Sequence, residues 1–125
     1  MEILIVDDDK FVRRILRDAF EAEGITCHEA NNGLEALRMA REIHPAAIVL
    51  DVMLPGLDGY KICRMLKYDE NFADISIVMV TSRARQTDRD TGYSTGADHY
   101  ITKPFKPEEV VAAVKHLTGS RAAAE

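Results

Sequence analysis

The sequence predicts a doubly wound α/β fold, a five-stranded parallel sheet in the order 2-1-3-4-5 with five helices on its two faces. Three observations carry this. Short apolar runs of strand length recur five times, and the first and third are apolar enough to be buried on both faces. Segments with apolar residues at helical spacing alternate with them, the pattern of parallel strands joined by right-handed crossovers. Four of the five runs also end on a reactive or charged side chain, at the strand edge where open parallel sheets place their ligand crevices.

Ile3-Leu4-Ile5-Val6 reads as the first strand and runs into Asp7-Asp8-Asp9. Phe11, Val12, Ile15, Leu16, Ala19 and Phe20 then recur at helical spacing, with Asp9 placed to cap that helix and Gly24 to stop it. Residues 25–30, ITCHEA, alternate and are more polar, which places the second strand near a sheet edge. Asn31-Asn32-Gly33 is turn chemistry able to cap a second helix, with Leu34, Leu37, Ala40 and Ile43 on one face and its end before Pro45.

The third strand, about 46–50, delivers Asp51 into a loop with Pro and Gly. Tyr60, Ile62, Cys63 and Leu66 mark a third helix, and Ile75 to Val80 a fourth strand closing on Thr81-Ser82. The segment expected to be the fourth helix, about 86–95, holds Thr87, Thr91, Gly92, Ser94 and Thr95, with Tyr93 its one large apolar residue. Helices polar all round are marginal, so this one is expected to be short, shifted or mobile. His99 to Thr102 is a fifth strand leading into Lys103-Pro104. The last helix opens with Pro107, Glu108 and Glu109 and buries Val110, Val111, Val114 and Leu117.

The 125 residues form one domain, placed at 1–118, with 119–125 read as a disordered tail, linker stub or cloning remnant. The net charge of −5 speaks against direct nucleic-acid binding by this domain, because phosphate backbones require basic surface. No run approaches the roughly 18 apolar residues of a membrane span, and MEILIVDDD turns acidic too early for a signal peptide, so the expected location is cytoplasmic. Cys27 and Cys63 read as reduced, buried thiols.

With strands 1 and 3 adjacent, about 4.8 Å apart, Asp7, Asp8 and Asp51 converge. Two like charges about 4 Å apart repel by about 1 kcal/mol in water and about 4 kcal/mol at an effective dielectric of 20. Such a cluster calls for a cation. Mg²⁺, with Mn²⁺ as a substitute, suits an oxygen-only donor set, whereas Zn²⁺ is disfavoured because no His or Cys lies in these loops. Lys103 supplies a compact positive charge from the far side. These parts suit a carboxylate nucleophile that accepts a phosphoryl group, with Asp51 as acceptor and Thr81, Lys103 and the cation neutralising its oxygens.

The motifs ILIVDDD, VLDVMLPGLDGY, VMVTS and GADHYITKPF, in this order and spacing, resemble the receiver domain of bacterial two-component response regulators, over residues 2 to about 118. The resemblance implies a flavodoxin-like three-layer sandwich that acts as a phosphorelay switch. It implies that Asp51 is the phosphoacceptor, that Asp8 and the Met53 backbone carbonyl join Asp51 as direct Mg²⁺ ligands, and that Asp7 acts through water. Thr81 and Tyr100 resemble the switch pair, Lys103 the phosphate-contacting lysine, and Lys103–Pro104 the family's cis peptide. Pro55 and Gly59 match the loop after the acceptor, and Gly96 precedes the fifth strand. Met53 and Arg83 flank the path of an attacking water, and their bulk is expected to lengthen the phosphoryl lifetime.

The implied partners are a sensor histidine kinase or histidine phosphotransfer protein, an output partner or domain, and a second copy of the chain. The implied chemistry is limited to the domain's own phosphorylation and slow autodephosphorylation. Three other functions were weighed. A phosphatase or phosphotransferase with an aspartyl-phosphate intermediate needs an acid two residues after the nucleophile, where Met53 stands. A flavodoxin-type cofactor binder needs a phosphate loop where Asp7-Asp8-Asp9 would repel the anion. A phosphate-independent interaction module would lack one of the residues that are complete here.

Overall fold

In the computed structural model the described residues are 1–82 and 96–124, with 120–124 described as backbone only. Five strands, β1 (Glu2–Val6), β2 (Thr26–Ala30), β3 (Ala47–Asp51), β4 (Ser76–Thr81) and β5 (His99–Thr102), form one sheet in the order β2-β1-β3-β4-β5. Every pairing is parallel. The described helices are α1 (Lys10–Glu21), α2 (Gly33–Ile43), α3 (Gly59–Lys67) and α4 (Pro107–Ala124). The helix expected at 86–95 falls outside the described residues. The last helix continues past residue 118, the boundary drawn from the sequence, and its backbone is helical through Ala124.

Successive side chains of a strand point to opposite faces, so the central strands feed two cores. Leu4, Val6, Ile48, Leu50, Ile77 and Met79 meet α2 and α3 through Leu37, Ala40, Ile62 and Leu66. Ile3, Ile5, Val49, Val78 and Val80 meet α1 and α4 through Leu16, Phe20, Val110 and Val114. The result is a three-layer sandwich in which, among the described residues, the buried charged groups are Asp7 and Asp51 at the strand ends. No helix is long and apolar enough to cross a membrane, among the described residues. Cys27 and Cys63 are both buried and free, and burial pushes the Cys27 thiol up to about 11, so it stays protonated at neutral pH.

Local chemistry explains where the helices begin. Asp9, Asn32 and Asp58 are the N-caps, accepting from the backbone N–H of Phe11, Glu35 and Lys61. Helix α2 ends at His44 in the left-handed conformation, one residue before Pro45. The facing of α2 differs from the expectation. Leu34 is 75 % exposed, and the buried face of α2 is instead Gly33, Ala36, Leu37 and Ala40, spaced by three or four. On α1, Phe11 and Ile15 are 68 % and 51 % exposed, while Leu16 and Phe20 are buried. Apolar residues on both sides of a helical stripe satisfy the same periodicity, so the docking angle on the sheet decides which are covered.

Candidate functional site

The parallel register builds the site. Val6 pairs with Leu50, so Asp7 leaves β1 beside Asp51 at the end of β3. Asp51 pairs with Val80, and Thr81, the last residue of β4, pairs with Thr102, which puts Lys103 one residue past the sheet on the other flank. Carboxylate oxygens of Asp7, Asp8 and Asp51 all lie within 4.8 Å of one another. Asp7 and Asp51 are buried, and Asp8 faces solvent.

Lys103 joins the two buried acids. Its Nζ donates to Asp7 Oδ2 at 3.1 Å and to Asp51 Oδ2 at 3.4 Å. The Lys103 backbone N–H donates to the Thr81 carbonyl at 2.7 Å, which fixes the start of its side chain beside β4. The Lys103–Pro104 peptide is cis. Burial raises the pKa of Asp51. The Met53 N–H, donating to Asp51 Oδ1 at 3.1 Å, pulls it back, the Asp7 charge pushes it up again, and Lys103 opposes that push. Lys103 itself is pulled down by burial but raised overall by Asp51 and Asp7, so the ammonium is charged at any pH near neutral.

The other predicted residues are placed as follows. Thr81 is fully buried at the end of β4, and Tyr100, on β5, is 8 % exposed and sits in the core beside α3's face. The structure therefore holds Tyr100 inward. Met53 is 53 % exposed, and the Ser82 hydroxyl donates to its Sδ at 3.8 Å. His99 is exposed. Arg83 lies outside the described residues.

Two contributors escaped the sequence reading. At Gly59 a Cβ would stand 2.5 Å from the Asp51 carbonyl oxygen and 2.7 Å from Val52 Cα, so the start of α3 touches the backbone of Asp51 itself. Arg13 Nη1 donates to the Asp7 backbone carbonyl at 2.7 Å. In the sequence Gly59 only matches a motif, and Arg13 falls between the apolar positions of its helix. The one signal for Arg13 was its place a single turn after the Asp9 cap.

Chemically, two buried carboxylates and one exposed carboxylate, with an ammonium on their flank, offer a cation oxygen donors alone. The single lysine does not neutralise three acids, and the donor set fits a hard divalent cation. Asp51 Oδ2 has a cationic partner already in place in Lys103, an arrangement compatible with a carboxylate nucleophile.

The chain matches the family described as "Response regulator receiver domain" over residues 3–115. It is 45 % identical over 116 residues to the transcriptional regulatory protein SrrA of Staphylococcus aureus, covering 93 % of this chain and 47 % of that protein. Thus the chain spans about half the length of the curated relatives it matches. Among solved structures it resembles a putative response regulator from Chloroflexus aurantiacus, with 34 % identity, TM-score 0.89, and 94 % and 97 % of the two chains covered. It also resembles the BeF3-activated DrrB receiver domain, with 34 % identity, TM-score 0.84, and 93 % and 95 % covered.

The expected exclusion of nucleic acid is narrowed by the name of the staphylococcal relatives. A net charge of −5 argues only for the 125 residues that carry it. With the fold, the acid cluster and the family match over residues 3–115 in agreement, this chain belongs to the response regulator receiver domain family and is a signalling switch of two-component phosphorelay.

Proposed function

We propose that Asp51 is the phosphoacceptor of this receiver and takes its phosphoryl group from a sensor histidine kinase or a histidine phosphotransfer protein. The observation that carries the reading is the Asp51 carboxylate, 5 % exposed, with the Lys103 ammonium at 3.4 Å and two further acids beside it. An Asp51 oxygen attacks phosphorus in line as the bond to the donor nitrogen breaks. Asp8, Asp51 and the Met53 carbonyl would hold Mg²⁺ (or Mn²⁺), with Asp7 acting through water. When bound, the cation neutralises charge on the transferring oxygens. Lys103 takes a second oxygen and the Thr81 hydroxyl a third.

Filling that third position draws Thr81 and Tyr100 into a shared rearrangement, and so alters the surface offered to an output partner, an output domain or a second copy of the chain. A gap of a few kcal/mol between the two arrangements lets one phosphoryl group tip them. Transcriptional control is the output that relatives named as transcriptional regulators support. Residues 1–118 are the phosphate-sensing part. The compartment is the cytoplasm, where phosphorelay donors reside.

Incubation with Mg²⁺ and acetyl phosphate tests the reading. Wild type gains the mass of one phosphoryl group, and Asp51→Asn gains none. An unmodified wild type, or an equal adduct in Asp51→Asn, overturns it. The same assay reads the lifetime. Replacing Met53 and Arg83 together by alanine opens the path to water and shortens the adduct's half-life, whereas an unchanged decay removes those two residues from the account.

A further inference from the structure

Asp7 stands one residue beyond the last register pairs of β1, Val6 with Ala30 and Val6 with Leu50. Its N–H still donates to the Ala30 carbonyl at 3.2 Å. Its own carbonyl, past the end of the ladder, is taken by Arg13 Nη1 at 2.7 Å. The guanidinium is oriented in turn by Glu29 on β2, whose Oε1 accepts from Arg13 Nε at 2.9 Å. Both side chains are mostly covered, 16 % and 27 % exposed.

From this geometry we infer that Arg13, held in place by Glu29, is the positioning residue that sets the acidic pair of the cation site. The peptide that carries the Asp7 carbonyl also carries the Asp8 N–H, and it is planar. Fixing that carbonyl fixes the direction in which Asp8 leaves the sheet. The same loop is tied from within by the Asp9 N–H, which donates to Asp7 Oδ1 at 2.9 Å. Arg13 thus holds the backbone of the residue whose carboxylate accepts from the Asp9 N–H and from Lys103 Nζ.

A purely structural duty, fastening α1 to β2, is already met by Arg17. It pairs with Glu29 and Glu21 and donates to the Cys27 carbonyl. Arg17 does not touch the site, and Arg13 does. The forked guanidinium reaches a carbonyl and a carboxylate together, which a lysine ammonium on its flexible stem does not hold with the same planarity. Groups that orient metal ligands in this way typically alter metal affinity by 10–100-fold when removed.

The inference rests on the acid cluster being the cation site, and the experiment separates the two. Mg²⁺ is titrated into the apo protein while backbone amide shifts are followed, for wild type, Asp51→Asn, Arg13→Ala, Arg13→Lys, Glu29→Gln and the Arg13→Ala, Glu29→Gln double variant. Arg13→Ala is expected to bind Mg²⁺ about tenfold more weakly. Arg13→Lys recovers part of that loss, and Glu29→Gln shows a smaller loss. The double variant is no weaker than Arg13→Ala alone, because Glu29 acts through Arg13.

In metal-free buffer the Asp9 amide exchanges faster in Arg13→Ala while the amides of Ile3–Val6 keep their protection. Wild-type Mg²⁺ affinity in Arg13→Ala, additive losses in the double variant, or faster exchange throughout β1 each overturn the inference. A wild type with no Mg²⁺ response overturns the reading of the cluster instead, and the exchange arm still decides whether Arg13 positions the loop. Should Arg13→Ala fail to fold, Glu29→Gln carries the same comparison.

Discussion

Lys103→Ala is expected to lower the rate of phosphoryl acceptance by about 10²-fold or more, the usual cost of removing one preorganised charge that faces the developing negative oxygens. It also leaves Asp7 and Asp51 buried without their shared cation. Taking one partner from a buried charge pair is strongly destabilising, but this ammonium is 25 % exposed, so a loss of about 2 kcal/mol in metal-free buffer is expected. The loss depends on pH. Burial already raises Asp51 above the ordinary carboxylate value, and Lys103 opposes that rise.

Without the lysine the folded-state pKa climbs further, so the native protein holds a proton that the unfolded chain has released. Stability then falls as pH rises from the unfolded carboxylate range through the higher folded value. The variant is therefore closest to wild type in mildly acid buffer and furthest from it above neutrality, and Mg²⁺ restores part of the difference by binding the folded state. Urea denaturation across pH, with and without Mg²⁺, reads this directly. A Lys103→Ala deficit that does not grow with pH would show that Lys103 does not set the charge on Asp51.

Gly59→Ala is expected to cost about 2–3 kcal/mol and to degrade the site at the same time. A Cβ there meets the Asp51 carbonyl oxygen at 2.5 Å and Val52 Cα at 2.7 Å, both backbone atoms with no rotamer to yield. The Gly59 N–H also donates to the Val52 carbonyl at 2.9 Å, so moving the helix away loses that bond. Relief requires shifting either α3 or the end of β3 that carries Asp51. Gly56→Ala in the same loop is the control. It has φ +80 but nothing within 4 Å, so it bears backbone strain of about 1 kcal/mol without displacing Asp51. Denaturation midpoints together with acetyl-phosphate labelling distinguish the two. Equal effects on both measurements would mean that the loop as a whole, rather than the contact at Gly59, sets the acceptor.

Most of the fold was legible because its signals are local. Buried parallel strands are continuous apolar runs, the caps Asp9 and Asn32 are short polar residues before helical periodicity, and the more polar second strand lies at the sheet edge. The site's inventory was legible for a related reason. A carboxylate, a hydroxyl or an ammonium directly after an apolar run has one place to go, the end of a strand. Facing was less legible. Phe11, Ile15 and Leu34 fit the helical period as well as Leu16, Phe20 and Leu37 do, and only the seating of α1 and α2 on the sheet leaves the first three in solvent.

The sequence by itself determined which groups arrive at the strand ends, because residue order and strand length are covalent facts. Only the tertiary structure decided how those groups meet, because contact between them depends on the register of strands far apart in the chain. It set Lys103 against both Asp7 and Asp51, 96 and 52 residues away, so that one ammonium offsets two buried carboxylates. It pressed Gly59 onto the Asp51 backbone and folded Arg13 back onto Asp7. Burial, which raises Asp51, belongs to the assembled sandwich, since no residue can withdraw itself from water.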